Sequence, residues 1–290
     1  MKKFTILIPI FNDWESLLKL ISEINENVKN IKEAQFDLVV INDCSTIEKP
    51  KIKIPLQINS IKIIHMSKNK GHARCNAFGI KYLSDKANFD YIILMDGDGE
   101  DRPQEIKLLV DKILQDPNKS VVAKRIKRSE GYMFQLLYRL HKYLTFATTG
   151  KLINFGNYSC LTKADIKKIS VKVSLWSSYS GTFKKSIKNY NEIDSIRGMR
   201  YFGPSQMSLF KLLIHSFSII AVFKYRVLIS SIIFLALFQY LEYLIQFNFL
   251  LFQMLIVAFN ILVFIVSFRE NKKEFDNSKF NVGRIECLTH

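Results

Sequence analysis

Three acidic side chains, Asp96, Asp98 and Glu100, stand at alternate positions with glycines between them, directly after the apolar run from Tyr91 to Met95. The run reads as a buried strand. The acids are therefore delivered together where that strand ends, and the glycines let the backbone approach a ligand closely. Oxygen donors without a histidine or cysteine in the same stretch favour Mg²⁺ or Mn²⁺ over zinc. Mg²⁺ usually sits between one or two carboxylates and substrate phosphates, so the expected partner is a phosphorylated substrate. A calcium loop, or an ordinary acidic turn after a strand, is the alternative that these residues alone leave open.

The elements around this stretch predict how it is held. Phe4 to Ile10, Asp37 to Ile41, Ile61 to His65, Tyr91 to Met95 and Ser120 to Ala123 read as strands. Between them, Trp14 to Val28, His72 to Leu83 and Ile106 to Leu114 have helical spacing. Alternating strands and helices with continuous apolar strands predict an α/β fold, with a parallel-dominated sheet covered by helices on both faces. In such sheets ligands bind outside the carboxyl ends of the strands. Asp13, Asp43, Asn69 and the acids at 96, 98 and 100 all follow strand ends, so separate strands bring polar groups to one edge.

The 290 residues are 48% hydrophobic and carry a formal charge of +16, which points to an anionic partner such as a phosphorylated substrate or an acidic membrane surface. No nucleic-acid-binding signature is present to give that charge a different use. The four cysteines, Cys44, Cys75, Cys160 and Cys287, have no metal-type spacing and read as reduced thiols. The apolar stretch after Lys3 ends at Pro9 and is too short for a secretory signal, so the N-terminal domain is expected in the cytoplasm. Phe249 to Phe268 is uncharged and long enough to cross a bilayer core of about 30 Å. Val227 to Ile245 is a second candidate, with Glu242 near its far end. Basic residues flank both spans (Lys224, Arg226, Arg269, Lys272, Lys273) and the turn between them is uncharged. This predicts a hairpin in the inner membrane with both termini cytoplasmic. Ser205 to Phe223 reads as an interfacial helix. The expected organisation is a domain over 1–204, an interfacial helix region over 205–225, two transmembrane helices over 226–269 and a cytoplasmic tail over 270–290.

Four motifs in order resemble the family 2 glycosyltransferases of the GT-A fold, and within them the polyprenyl-phosphate glycosyltransferase branch. They are Ile8-Pro9-Ile10-Phe11-Asn12-Asp13, Asn42-Asp43-Cys44-Ser45, Ser67-Lys68-Asn69-Lys70-Gly71-His72 and Met95-Asp96-Gly97-Asp98-Gly99-Glu100-Asp101. A basic pair, Arg125 and Arg128, follows the next strand. The resemblance covers about residues 4–225. It implies a nucleoside-diphosphate sugar donor, a lipid phosphate acceptor and Mg²⁺ or Mn²⁺. It assigns Pro9, Phe11, Asp13 and Asp43 to the nucleotide and Asp96, Asp98 and Glu100 to the metal and ribose. Arg125, Arg128 and Arg200 would face phosphate charge, and Asp96, Asp98 and Arg125 would carry the chemistry. Asn69 and His72 are either ligand contacts or loop structure. The resemblance allows a homo-oligomer, which no residue here establishes.

The implied reaction expels a diphosphate, whose developing charge a cation and arginines stabilise. A hydroxyl acceptor also needs a general base. The stretch from Val173 to Phe183, where the family often has an acid, contains no carboxylate. A phosphate acceptor is already an anion and suits that absence. Two segments depart from the family: Asn157-Tyr158-Ser159-Cys160 replaces Asp-Phe-Arg-Leu, and Gly203-Pro204-Ser205-Gln206 replaces Gly-Glu-Ser-Lys. A hydroxyl acceptor on a glycolipid or polysaccharide precursor, and an inactive membrane scaffold, remain as alternative readings.

Overall fold

Apolar and β-branched runs form strands β1 (Lys2–Ile10), β2 (Ala34–Asn42), β3 (Ile58–Met66) and β4 (Tyr91–Leu94) at the centre of an eight-stranded sheet. The structure is a computed structural model that describes residues 1–86, 88–127, 132–204 and 208–290, without the side chains of 127, 132–138 and 141. Outer strands are β5 (Val121–Lys127), β6 (Phe155–Thr162), β7 (Asn191–Ile196) and β8 (Val282–Thr289), in the order β7-β5-β6-β4-β1-β2-β3-β8. The pairs β1–β2, β1–β4, β2–β3 and β5–β7 are parallel, whereas β6 and β8 run antiparallel to their neighbours. The sheet is thus the expected parallel-dominated one. Its fifth strand extends past Ala123 to Lys127, because β7 pairs along that added length.

Helices α1 (Trp14–Val28), α2 (His72–Ser84), α3 (Ile106–Gln115), α4 (Tyr132–Thr149), α5 (Lys163–Ser170) and α6 (Tyr179–Ser186) accompany the sheet. Alternate strand residues point to opposite faces. Ile6 and Ile8 of β1 therefore join Leu17, Leu20, Ile21 and Ile24 of α1 and Leu109 and Ile113 of α3 on one face. Leu7 joins Phe78 and Ile80 of α2, Ile166 of α5 and Phe183 of α6 on the other. Both faces of the central strands are buried, so a ligand has to meet the sheet at the ends of its strands, and the acid loop lies at the carboxyl ends.

Helix α7 (Leu209–Ala221) precedes two long apolar helices, α8 (Lys224–Ile245) and α9 (Leu250–Ser267). By length and composition both are able to cross a membrane, and only 6% and 11% of their most apolar windows is buried. Core helices of a soluble domain would be mostly covered. A turn with Gln246 in the left-handed region joins α8 and α9, and Asn260 Nδ2 donates to Ser231 Oγ at 2.7 Å between them. At the base of the pair, Lys224 and Glu270 form an ion pair at 3.1 Å.

The segment expected as a cytoplasmic tail, 270–290, joins the sheet in the structure. After α9 the chain returns through α10 (Lys272–Asp276) and adds β8 to the free edge of β3, from Ser60 against Thr289 to Met66 against Val282. Phe275 is 1% exposed in the core face shared with α2 and stands edge-on to Trp176. An edge strand buries little, so its weak alternation gives sequence reading little to detect.

Candidate active site

The register of the central strands sets the site. Leu7 lies opposite Leu94, and Met95 N continues the ladder by donating to Leu7 O at 3.1 Å. The acid loop therefore leaves β4 beside the end of β1. Asp96 turns inward, where Asn157 Nδ2 donates to its Oδ1 at 3.1 Å and His72 Nε2 lies 3.1 Å from the same oxygen. Asp98 Oδ1 accepts from Glu100 N at 3.1 Å, and its Oδ2 accepts from Arg200 Nη1 at 3.0 Å. Glu100 is paired with Arg197.

The loop after β7 lies across these acids like a strap. Gly198 N donates to Glu100 O at 2.8 Å and Tyr201 N to Asp98 O at 2.9 Å. Gly99 has φ +87°, and a side chain there would run into the Tyr201 ring. The buried Glu105 roots the strap by accepting from Ser195 Oγ at 2.6 Å and Ile196 N at 3.0 Å. Arg200 also pairs with Asp13 and so ties β1, β4 and β7 together at one point.

The carboxylates act on one another. Burial raises the pKa of Asp96, but the charge and hydrogen bond of His72, the Asn157 bond and Arg125 outweigh it and hold the group well below the usual carboxylate range. Burial and the Asp96 charge raise Asp98. Burial also raises Glu100 against the opposing pull of Arg197. Asp101 accepts from Asp96 N at 3.0 Å and is pushed up to about 7 by burial and by Asp96. Burial pulls His72 down, yet Asp96, Asp98 and Asp101 together raise it.

Of the residues predicted from sequence, Asp13, Asp96, Asp98, Glu100, Arg125 and Arg200 gather at this rim. Arg125 lies 3.9 Å from Asp101 and adds positive charge to the Asp96 and Glu100 sites. Phe11 is exposed at the end of β1, while Pro9 is buried within the strand. Asp43, at the end of β2, also has a partner within the chain. Its buried carboxylate accepts from Lys70 N at 2.8 Å and Gly71 N at 2.7 Å, so it holds the 68–71 loop. Asn69 is exposed on that loop. Arg128 lies outside the described residues.

The expectation that Asp96, Asp98 and Glu100 together hold a metal is not met by a ready-made cage. Among the described residues no group of three or more His, Cys, Asp or Glu side chains is arranged to hold a metal ion. The donor chemistry instead fits a hard cation that shares one or two carboxylates with substrate oxygens. Arg197, Asp101 and the contact between Asn157 and Asp96 were not foreseen. Arg197 stands three residues before Arg200, and that basic pair just after a strand was the available signal. Asp101 lies inside the acid motif and closes its loop onto Asp96 N, whereas the role of Asn157 depends on β6 meeting β4.

Comparison with known proteins follows the same lines. The chain is 27% identical over 221 residues to the undecaprenyl-phosphate 4-deoxy-4-formamido-L-arabinose transferase of Photorhabdus laumondii, covering 73% of this chain and 65% of that protein. It is 25% identical, with the same coverage, to the Serratia proteamaculans enzyme of that name. The chain thus spans just under two thirds of the length of these relatives. Glucosyl-3-phosphoglycerate synthase from Mycobacterium tuberculosis, solved with Mn²⁺, uridine-diphosphate-glucose and phosphoglyceric acid, has a similar fold, with a TM-score of 0.50 at 14% identity over 78% of this chain and 80% of that one. The family model for glycosyl transferase family 2 matches residues 5–199. With that match over more than half of its length, the chain belongs to glycosyl transferase family 2.

Proposed function

We propose that this chain is a membrane-anchored glycosyltransferase that moves a sugar from a nucleoside diphosphate to a polyprenyl phosphate. The observation that carries the reading is the meeting of Asp96 and Asp98 with Arg125, Arg197 and Arg200 at the carboxyl rim of the sheet. Acids and arginines side by side suit a diphosphate that arrives with a cation. Asp98, with Asp96 beside it, would hold Mg²⁺ or Mn²⁺; Glu100 would serve the metal or ribose. The cation would neutralise charge growing on the departing diphosphate.

The chain's own residues do the rest. Arg200 offers a planar fork that matches phosphate geometry. In the present arrangement that fork is spent on Asp98 and Asp13. Donor entry would exchange these carboxylates for phosphate oxygens. His72 and Asn157 fix the Asp96 carboxylate, and the depressed pKa keeps it charged at neutral pH. The turn Val173–Trp176 and helix α6 carry no carboxylate to serve as a base. A phosphate oxygen of the acceptor can attack the anomeric carbon without one as the bond to the diphosphate breaks.

The lipid acceptor is supported by the names of the relatives and by the hairpin. The packing of residues on both sides of α8 and α9 against the same domain supports placing both ends of the hairpin on one side of the bilayer. The basic flanks favour the cytoplasmic side of the inner membrane. A donor screen with purified protein, undecaprenyl phosphate and Mn²⁺ or Mg²⁺ tests the proposal. A sugar joined through phosphate is the expected product. Transfer to hydroxyl acceptors alone, or no turnover with any donor, would overturn it.

A further inference from the structure

The loop that follows β2 is fastened to the end of β1. Asn12 N donates to Ser45 Oγ at 2.8 Å, and Asn12 Oδ1 accepts from Thr46 N at 2.8 Å and Ile47 N at 3.2 Å. Asn12 reaches these groups with φ +51°, a left-handed conformation that asparagine tolerates better than most residues. Trp14 Nε1 donates to Ile47 O at 3.1 Å. Residues 45–47 therefore help to set where Phe11 and Asp13, on either side of Asn12, stand at the rim.

The same loop is held from the other side by the strand that follows the hairpin. Glu286 of β8 lies 3.3 Å from Lys49 Nζ through Oε2 and 3.2 Å from His65 Nε2 through Oε1. Arg284 also pairs with Oε1. His65 passes the contact on. Its Nδ1 is 2.9 Å from Asn42 Nδ2, and Asn42 Oδ1 accepts from Ser45 N at 3.1 Å. That second bond fixes which end of the amide faces the imidazole. The Asn42 amino group donates, so Nδ1 is the acceptor and the ring proton sits on Nε2, beside Glu286. This Nε2 is shielded from solvent and makes no aligned hydrogen bond, so the carboxylate 3.2 Å away is what offsets its burial. Burial is the strongest influence on the ring and, with Arg284 and Lys49, favours its neutral form against the pull of Glu286.

We propose that Glu286 is a positioning residue for the donor, clamping both ends of the 43–48 loop so that Phe11 and Asp13 are held ready for the nucleotide. It acts on Lys49 directly and on Asn42 through His65. A binding site keeps its geometry through hydrogen-bonded groups behind it. Here the last of those groups comes from beyond the membrane hairpin. The donor pocket is thus complete only once the residues after α9 have docked on β3. The nucleotide role of Phe11 and Asp13 rests on the transferase reading; the clamp itself does not.

The test uses the full chain in phosphatidylcholine nanodiscs, with Glu286→Gln and His65→Leu as variants of nearly unchanged size. Hydrogen exchange reads the amides of residues 43–48. Calorimetric titration with uridine diphosphate and guanosine diphosphate in Mn²⁺ reads nucleotide affinity, and steady-state kinetics read transfer. Both variants should exchange these amides faster and bind the preferred nucleotide about tenfold more weakly. Donor KM should rise by the same factor, while kcat at saturating donor and the half-saturating acceptor concentration hold. Wild-type exchange and affinity in both variants overturn the proposal, and so does a loss of kcat at unchanged donor KM. A fall in melting temperature with wild-type affinity marks a contact that only secures the sheet edge, which also overturns it. If the wild type binds neither nucleotide, the transferase reading fails and the donor role with it, whereas faster exchange in the variants still establishes the clamp.

Discussion

Arg200 Nη1 donates to Asp98 Oδ2 at 3.0 Å, joining two residues 102 positions apart in the chain. The same guanidinium pairs with Asp13. One side chain from the loop after β7 thus closes over carboxylates delivered by β1 and β4. Both partners are mostly sheltered from water, so the pairing is less screened than a surface ion pair.

Arg200→Ala is expected to have two separable effects. Without donor, the unfolding free energy should fall by about 2 kcal/mol, the scale of a hydrogen bond to a charged group. With donor, kcat/KM per folded molecule should fall about 100-fold if the fork moves to the diphosphate. Denaturant titration and steady-state kinetics on the same sample check this. A stability loss with unchanged kcat/KM would leave Arg200 as a strap fastener alone.

Asp98→Asn keeps the shape of the side chain and removes its charge. Metal-dependent turnover should fall by about 100-fold or more. Chelation of divalent ions should stop the wild-type reaction, and Mn²⁺ or Mg²⁺ should restore it. Full activity after exhaustive chelation would exclude the proposed cation role.

Asp101 gives the fold a pH dependence of definite sign. Its folded pKa of about 7 lies above the ordinary value of 3.8, because burial and the Asp96 charge disfavour ionisation. Its stabilising contribution is complete below pH 3.8 and is lost as pH rises through about 7. Asp101→Asn should therefore flatten the fall in melting temperature between pH 5 and pH 8 relative to wild type. Parallel curves for the two proteins across that range would count against the assignment.

The C-terminal return should behave as part of the catalytic domain. Phe275→Ala removes a fully buried ring and is expected to cost about 3 kcal/mol. A loosely attached tail would show almost no change in denaturant midpoint.

Membrane release should depend on how the hairpin is removed. Replacing 227–268 with a Gly/Ser linker leaves β8 in place and should yield a folded, water-soluble domain. Truncation at 226 also removes β8 and Phe275. It uncovers the edge of β3, so aggregation is expected. Fractionation and circular dichroism of both proteins distinguish these outcomes.

The strand ends, the acid loop and the apolar hairpin were legible in the sequence because each depends on local pattern. Tyr91 to Leu94 is a strand by composition, and glycines alternating with acids can hardly pack as anything but a loop. The four ordered motifs made the family readable from the same residues. Partnership between distant residues was not legible. Asp43 follows a strand as expected, yet its carboxylate holds the amides of Lys70 and Gly71. Arg197 and Asn157 acquire their roles only when β4, β6 and β7 lie near one another.

The sequence by itself determined the strands from Phe4 to Ala123, the helices between them and the two spans, since these follow from hydrophobic period and length. Only the tertiary structure decided which charges neutralise each other and that residues after the hairpin complete the sheet. Ion pairing and edge-strand addition are set by proximity across the fold, and proximity leaves no periodic trace along the chain.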